Sequence, residues 1–252
     1  MPEQDESPLL FDNVTKTYVR SHLGRKKYSR GVRGLHLNIE QGEIFGLLGL
    51  NGQGKTTTLK LSLGLLEPTA GTVRVFGQDP FEPAARAQLG YLPELPYFYP
   101  HLSPREALGF YARLSKVPRK SLRRRIDDAL ADVGLLAAAD RRASEFSKGM
   151  LQRLGLAQAM LHRPKLYVLD EPVSGLDPLA VHDIRNMLAK LNTQGATILL
   201  ASHSISEVER LCRRVGILVE GRLARILTSA DWAKDGLEKL FIETVMPEVP
   251  LP

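Results

Sequence analysis

A chain of 252 residues, 43% apolar and 25% charged, has room for one large domain or a domain with a subdomain, in the composition of an ordinary globular protein. It contains no apolar run of the ~18 residues that a membrane-spanning helix needs, and its one cysteine, Cys212, excludes an internal disulfide and fits a reducing compartment. The net charge of +6 admits nucleic acid or an anionic membrane surface as partners.

Two clusters carry much of that charge. Arg20, Arg25, Lys26, Lys27, Arg30 and Arg33 form the first, for which proximity to a membrane stays open. Arg119, Lys120, Arg123, Arg124 and Arg125 form the second, which Asp127-Asp128 partly balances and which reads as a solvated face. The acidic start, Met1 to Glu6, has no apolar signal-peptide core. The expectation is a cytoplasmic protein.

In chain order, Leu9–Val14 and Leu35–Glu40 read as strands flanking a basic hairpin or loop. Glu43-Ile44-Phe45-Gly46-Leu47-Leu48 is an apolar strand, and Thr57–Leu66 reads as a helix. Thr72–Phe76 is a further strand between glycines. From about 95 to 144 strand signals are missing, while helical periodicity marks Pro104–Ser115 and Ser121–Val133. Ser103-Pro104-Arg105-Glu106 is a helix start, with a cap, a proline and a third-position glutamate. Leu166–Leu169, Thr197–Ala201 and Val215–Val219 are short apolar runs separated by helices, the alternation of a mostly parallel sheet with helices on its faces. The predicted fold is α/β: a phosphate-loop core with a mostly parallel sheet, an antiparallel β subdomain and an inserted α-helical subdomain at about 95–160. The main domain spans 1–228, followed over 229–252 by a helical extension and a proline-rich tail.

Between the third strand and the first helix, Gly49-Leu50-Asn51-Gly52-Gln53-Gly54-Lys55-Thr56 fits G-x-x-x-x-G-K-[ST] without a mismatch. The glycines let successive N–H groups turn toward phosphate oxygens. Lys55 brings a charge to the β- and γ-phosphates, the Thr56 hydroxyl can ligate Mg²⁺, and the helix N-terminus that Thr57 continues adds its dipole. Leu166–Leu169 runs into Asp170-Glu171. Beside a phosphate loop, Asp170 is expected to hold Mg²⁺ and Glu171 to act as general base toward water.

The order of phosphate loop, helical insert, Ser147-Lys148-Gly149 helix start, Asp170-Glu171 strand, Ser174-Gly175-Leu176-Asp177 and Ser202-His203 resembles the ATP-binding cassette (ABC) transporter ATPase, over about Leu9 to Val219. The resemblance implies that two cassettes, as a homodimer or a pair, pack head to tail. Each ATP then lies between one phosphate loop and the other chain's Ser147 and Gly149. Asp177 would link the two sites, and His203 would sense the γ-phosphate. Tyr18 would stack on adenine, against the plainer reading of an aromatic packing at a strand end. Two departures stand out. The usual Leu-Ser-Gly-Gly-Gln is Phe146-Ser147-Lys148-Gly149-Met150, and Glu94 replaces the usual glutamine, as in bacterial export-type cassettes. A carboxylate there can still ligate Mg²⁺.

Tyr97-Phe98-Tyr99 follows Glu94, in a region the resemblance sets beside the groove for a membrane subunit; packing within the insert is the equal alternative. The resemblance thus implies ATP and Mg²⁺ as cofactors, separate transmembrane permease subunits as partners, a peripheral place on the cytoplasmic membrane face, and ATP hydrolysis that drives transport, export in direction. A soluble, non-transport cassette would share the ATP motifs, but such proteins carry tandem cassettes, coiled-coil inserts or added domains. No nucleic-acid partner is expected, because the arginines lie in no reading motif.

Overall fold

The computed structural model describes residues 7–22 and 25–246. The acidic residues 1–6 and the proline-rich tail from 247 lie outside that part, as do the side chains of Arg20, Arg25, Lys26, Lys27 and Arg30. The chain opens with β1 (Leu9–His22), β2 (Arg25–Ile39), β3 (Ile44–Leu48), α1 (Lys55–Ser62), β4 (Ala70–Arg74) and α2 (Pro83–Arg86). It continues with β5 (Leu89–Leu92), α3 (Pro104–Leu114), α4 (Leu122–Asp132), α5 (Lys148–Met160), β6 (Leu166–Asp170) and α6 (Pro178–Thr193). It closes with β7 (Thr197–Ser202), α7 (Ile205–Leu211), β8 (Arg214–Val219), β9 (Arg222–Thr228), α8 (Ser229–Trp232) and α9 (Leu237–Val245). Two compact units result, one of residues 1–86 with 197–252 and one of residues 87–196.

In the first unit, β3 lies between β7 and β8, both parallel to it, and β9 pairs antiparallel with β8. All five residues of β3 and all six of β7 are buried, which is why both read as unbroken apolar runs rather than alternating ones. A separate antiparallel sheet has the order β2-β1-β4. Of the hairpin and loop readings for the stretch between the first two strands, the hairpin holds, and both strands run longer than expected, pairing from Leu9↔Ile39 to His22↔Arg25. Thr15, Thr17, Tyr18, Val19 and Val32 supply β-branched and aromatic residues that favour this pairing. Tyr18 accordingly sits within β1, opposite Ser29, and not at a strand end.

Helix α1 spans Lys55–Ser62 where the sequence suggested Thr57–Leu66. Gly54, at φ 105°, starts it two residues earlier, and Gly64, at φ 62°, turns the chain away after the cap at Leu63. Strand β4 covers Ala70–Arg74 in place of Thr72–Phe76, because Phe76 adopts a left-handed φ of 46°.

In the second unit β5 and β6 pair in parallel, Leu89 with Leu166 through Leu92 with Leu169. Helix α3 begins with the expected capping box: Ser103 accepts from the Glu106 N–H and Glu106 accepts from the Ser103 N–H at 2.8 Å. Helix α4 buries Ile126, Ala129 and Leu130 and leaves Arg123 and Arg124 exposed, with Arg125 half-buried. Phe98 is buried, meeting the Tyr111 ring edge-on at 6.0 Å, while Tyr97 and Tyr99 are exposed. The packing reading of the aromatic triplet therefore holds for Phe98 alone, and the other two rings face solvent.

Candidate active site

In the first unit the phosphate loop follows the buried end of β3. Gly52 and Gly54 take φ of 80° and 105°, backbone that favours glycine. A Cβ on Gly54 would lie 2.5 Å from the carbonyl oxygen of Gly31 in β2, and one on Gly221 would lie 2.7 Å from the same oxygen. The carbonyl of Gly31 is thus wedged between the phosphate loop and the β8–β9 turn. Gln53 fastens the same joint, its Oε1 accepting from the backbone N–H of Glu220, and the Arg33 N–H donates to the Gly221 carbonyl at 2.7 Å. Sequence reading assigned Gln53 to the nucleotide and passed over Gly31, Glu220 and Gly221. Only the glycines themselves signalled this clasp.

Lys55 is buried, and its Nζ donates to the Gly49 carbonyl at 2.6 Å, closing the loop across its own neck. Thr56 and Asn51 are exposed. Helix α1 has no side-chain cap and no acidic residue in its first turn, so its N-terminal N–H groups keep the partial positive charge that favours an anion. The Tyr18 hydroxyl shares a hydrogen bond with Thr57 Oγ1 at 3.1 Å, which ties the ring to the head of α1. His203 is exposed one residue beyond Ser202, and Ser202 is level with Leu48 at the end of β3. Tyr18, the phosphate loop and His203 therefore gather at one region of this unit.

In the second unit Asp170 and Glu171 end β6 and are buried, 6% and 7% exposed. Glu171 has a left-handed φ of 47°, strained backbone for a residue with a side chain. The phenol of Tyr91, on the neighbouring β5, is pushed above its ordinary range by burial and then by the charge of Asp170. Glu94 is exposed two residues past the end of β5, which runs parallel to β6, so it emerges at the same edge as the two acids.

Ser147 caps α5, its hydroxyl accepting from the Met150 N–H at 3.3 Å. Asp177 caps α6, accepting from Leu179 and Ala180 at 3.1 and 3.0 Å. Ser147, Gly149 and Asp177 line one open cleft of about 340 Å³, joined by Arg141 and Arg153. Arg153 follows Gly149 by one helical turn, a spacing that places both on one face of α5. A Cβ on Gly175 would lie 2.6 Å from Lys148 Nζ, so Lys148 reaches over the Ser174–Asp177 loop.

Each unit offers a hard oxygen donor of the kind Mg²⁺ takes: the exposed Thr56 hydroxyl in the first and the buried Asp170 carboxylate in the second. No group of three or more His, Cys, Asp or Glu that could hold a metal ion occurs among the described residues.

Residues 32–174 match the ABC transporter family. An uncharacterized ABC transporter ATP-binding protein of Nostoc sp. is 44% identical over 219 residues, covering 86% of this chain and 65% of the relative. The Nod factor export ATP-binding protein I of Paraburkholderia xenovorans is 41% identical over 219 residues, covering 86% of this chain and 69% of the relative. The aligned chain therefore spans just under two thirds of the Nostoc protein's own length. Among solved structures, one titled the ATP binding subunit of an ABC transporter superposes with a TM-score of 0.81 at 30% identity, over 94% of this chain and 99% of that one.

Proposed function

The chain belongs to the ABC transporter family, and from that premise we propose that it binds and hydrolyses ATP to drive transport, export in direction, through separate membrane subunits. The observation that carries the reading is the intact phosphate loop, with buried Lys55 at the head of an uncapped α1. No helix among the described residues is long and apolar enough to cross a membrane, and the proposal assigns the pathway to the separate subunits. Exposed Tyr97 and Tyr99, beside Glu94, offer a surface for such a subunit on the cytoplasmic membrane face.

In the proposed reaction the α1 N–H groups and Lys55 hold the β- and γ-phosphates. Release of Lys55 from the Gly49 carbonyl makes the ammonium available to them. Thr56 and Asp170 would hold Mg²⁺, with Glu94 as a further oxygen donor; when bound, the ion neutralises charge on the phosphates. Glu171 accepts a proton from water as the water oxygen bonds to the γ-phosphorus and the bond to the β–γ bridging oxygen breaks. His203 senses the γ-phosphate and orients the water, and Tyr18 stacks on adenine. Ser147 and Gly149 of a second cassette, at the N-terminus of its α5, complete the anion site, and Asp177 couples the two halves. Closure on two ATPs and reopening after hydrolysis is the motion a membrane subunit would use.

Lys55→Ala tests the assignment. It should abolish most binding of a fluorescent ATP analogue, because the loop then keeps only backbone donors; unchanged affinity contradicts the site. Co-purification with a membrane protein tests the transport role.

A further inference from the structure

A cavity of about 460 Å³ opens in the second unit among α4, the turn between α5 and β6, and the end of α6. Its volume falls in the range of small-molecule sites, ~300–1,000 Å³. It adjoins Tyr167 near the start of β6, while Asp170 ends that strand. At about 3.3 Å per residue the two lie about 10 Å apart along the strand, so the cavity is distinct from the edge that carries the acids.

The charges in it do not balance locally. Two carboxylates line it, and both already face cations: Asp132 accepts from Lys190 Nζ at 2.8 Å, and Asp128 lies 3.8 Å from Arg124. Arg125 and Arg163 line it as well. The Arg125 Nη1 is buried and donates no hydrogen bond among the described residues, a costly condition for a charged donor. Burial, and then the charge of Arg163, disfavour the Arg125 cation, and the charge of Asp128 offsets them only in part. Arg163 itself has a left-handed φ of 54°, a conformation that costs a non-glycine residue and tends to mark functional positions. The rest of the wall includes Met160, Pro164 and Leu191.

We propose that this cavity is a second ligand site, taking a small phosphate monoester whose dianionic head lies between Arg125 and Arg163 and whose carbon body packs on Met160, Pro164 and Leu191. Two guanidinium groups match the two charges of that head and can each donate a pair of hydrogen bonds. The head offsets the mutual repulsion of the arginines. None of these residues has a part in the proposed handling of ATP, so the site stands or falls separately from it.

Phenyl phosphate is the probe, titrated calorimetrically into the full chain with and without saturating Mg²⁺-ATP, with benzoate as the carboxylate comparison. Saturable millimolar or tighter binding is expected, unaltered by Mg²⁺-ATP and stronger than that of benzoate. Arg163→Gly should weaken it about tenfold or more, the loss of a charge-assisted contact, and should leave ATP binding intact. Glycine also suits the left-handed backbone there, so the variant keeps its fold even if Arg125→Gln does not. Absence of saturable binding would overturn the proposal. So would loss of binding on addition of Mg²⁺-ATP, which would put the probe in the phosphate loop, or an affinity unchanged in Arg163→Gly.

Discussion

Glu171 combines three properties at one position: a buried carboxylate, the end of a buried strand, and a left-handed backbone. A residue held in strain at a strand end is set by its surroundings rather than by local preference. Glu171→Gln preserves shape and backbone but is a poor base. It should keep ATP binding, slow hydrolysis by at least about a hundredfold, and accumulate a closed dimer in size-exclusion chromatography with Mg²⁺-ATP. Turnover at the unsubstituted rate would move the base elsewhere, with His203 the first candidate. At this scale the phosphate loop was legible because its eight residues are contiguous and each has a chemical role. The bond from the Glu220 N–H to Gln53 was not, since its partners stand 167 residues apart. Nor was the strain at Glu171, because composition carries no sign of φ.

Among the elements, the helices of the second unit were legible because their ends carry their own chemistry. Ser103 and Glu106 cap α3 reciprocally, and those hydrogen bonds hold the Glu106 carboxyl below its ordinary value of 4.5. The sign follows from that direction: the contribution of the cap is present above the unfolded pKa and is lost as pH falls through the lower folded one. The difference in Tm between the unsubstituted chain and Glu106→Gln should therefore shrink as the buffer is taken below about pH 4, and a constant difference would refute it. Strands β5 and β9 escaped the sequence reading. The first has four residues, too few for a period to declare itself. The second, RLARILT, does not alternate: Arg222 and Arg225 are exposed and Leu227 alone is buried. The turn before β9 matters to the site through Gly221, which holds φ 78° against the Gly31 carbonyl. Gly221→Ala adds both strain and a clash, at a cost of about 1–3 kcal/mol. It should lower the chemical-denaturation midpoint and weaken ATP binding together; an unchanged midpoint would show that the clasp yields freely.

For the whole molecule, a mostly parallel sheet was legible in the unbroken apolar runs of β3, β7 and β8, but their order, with β3 between the other two, was not, because it rests on pairings between distant segments. The sharing of each ATP between two chains did not follow from composition or spacing. It enters through the family, and through the grouping of Ser147, Gly149 and Asp177 on one open cleft. That sharing is the central claim, since a single chain would then hold every part of the chemistry except the second anion site. The direct measurement is the specific ATPase activity of the purified chain across a wide range of protein concentration, with Mg²⁺-ATP saturating and Lys55→Ala alongside. Activity per chain should climb with concentration and level off as dimers fill, with Lys55→Ala inactive throughout. A specific activity that stays flat in a sample shown by sedimentation to be monomeric would contradict the shared site.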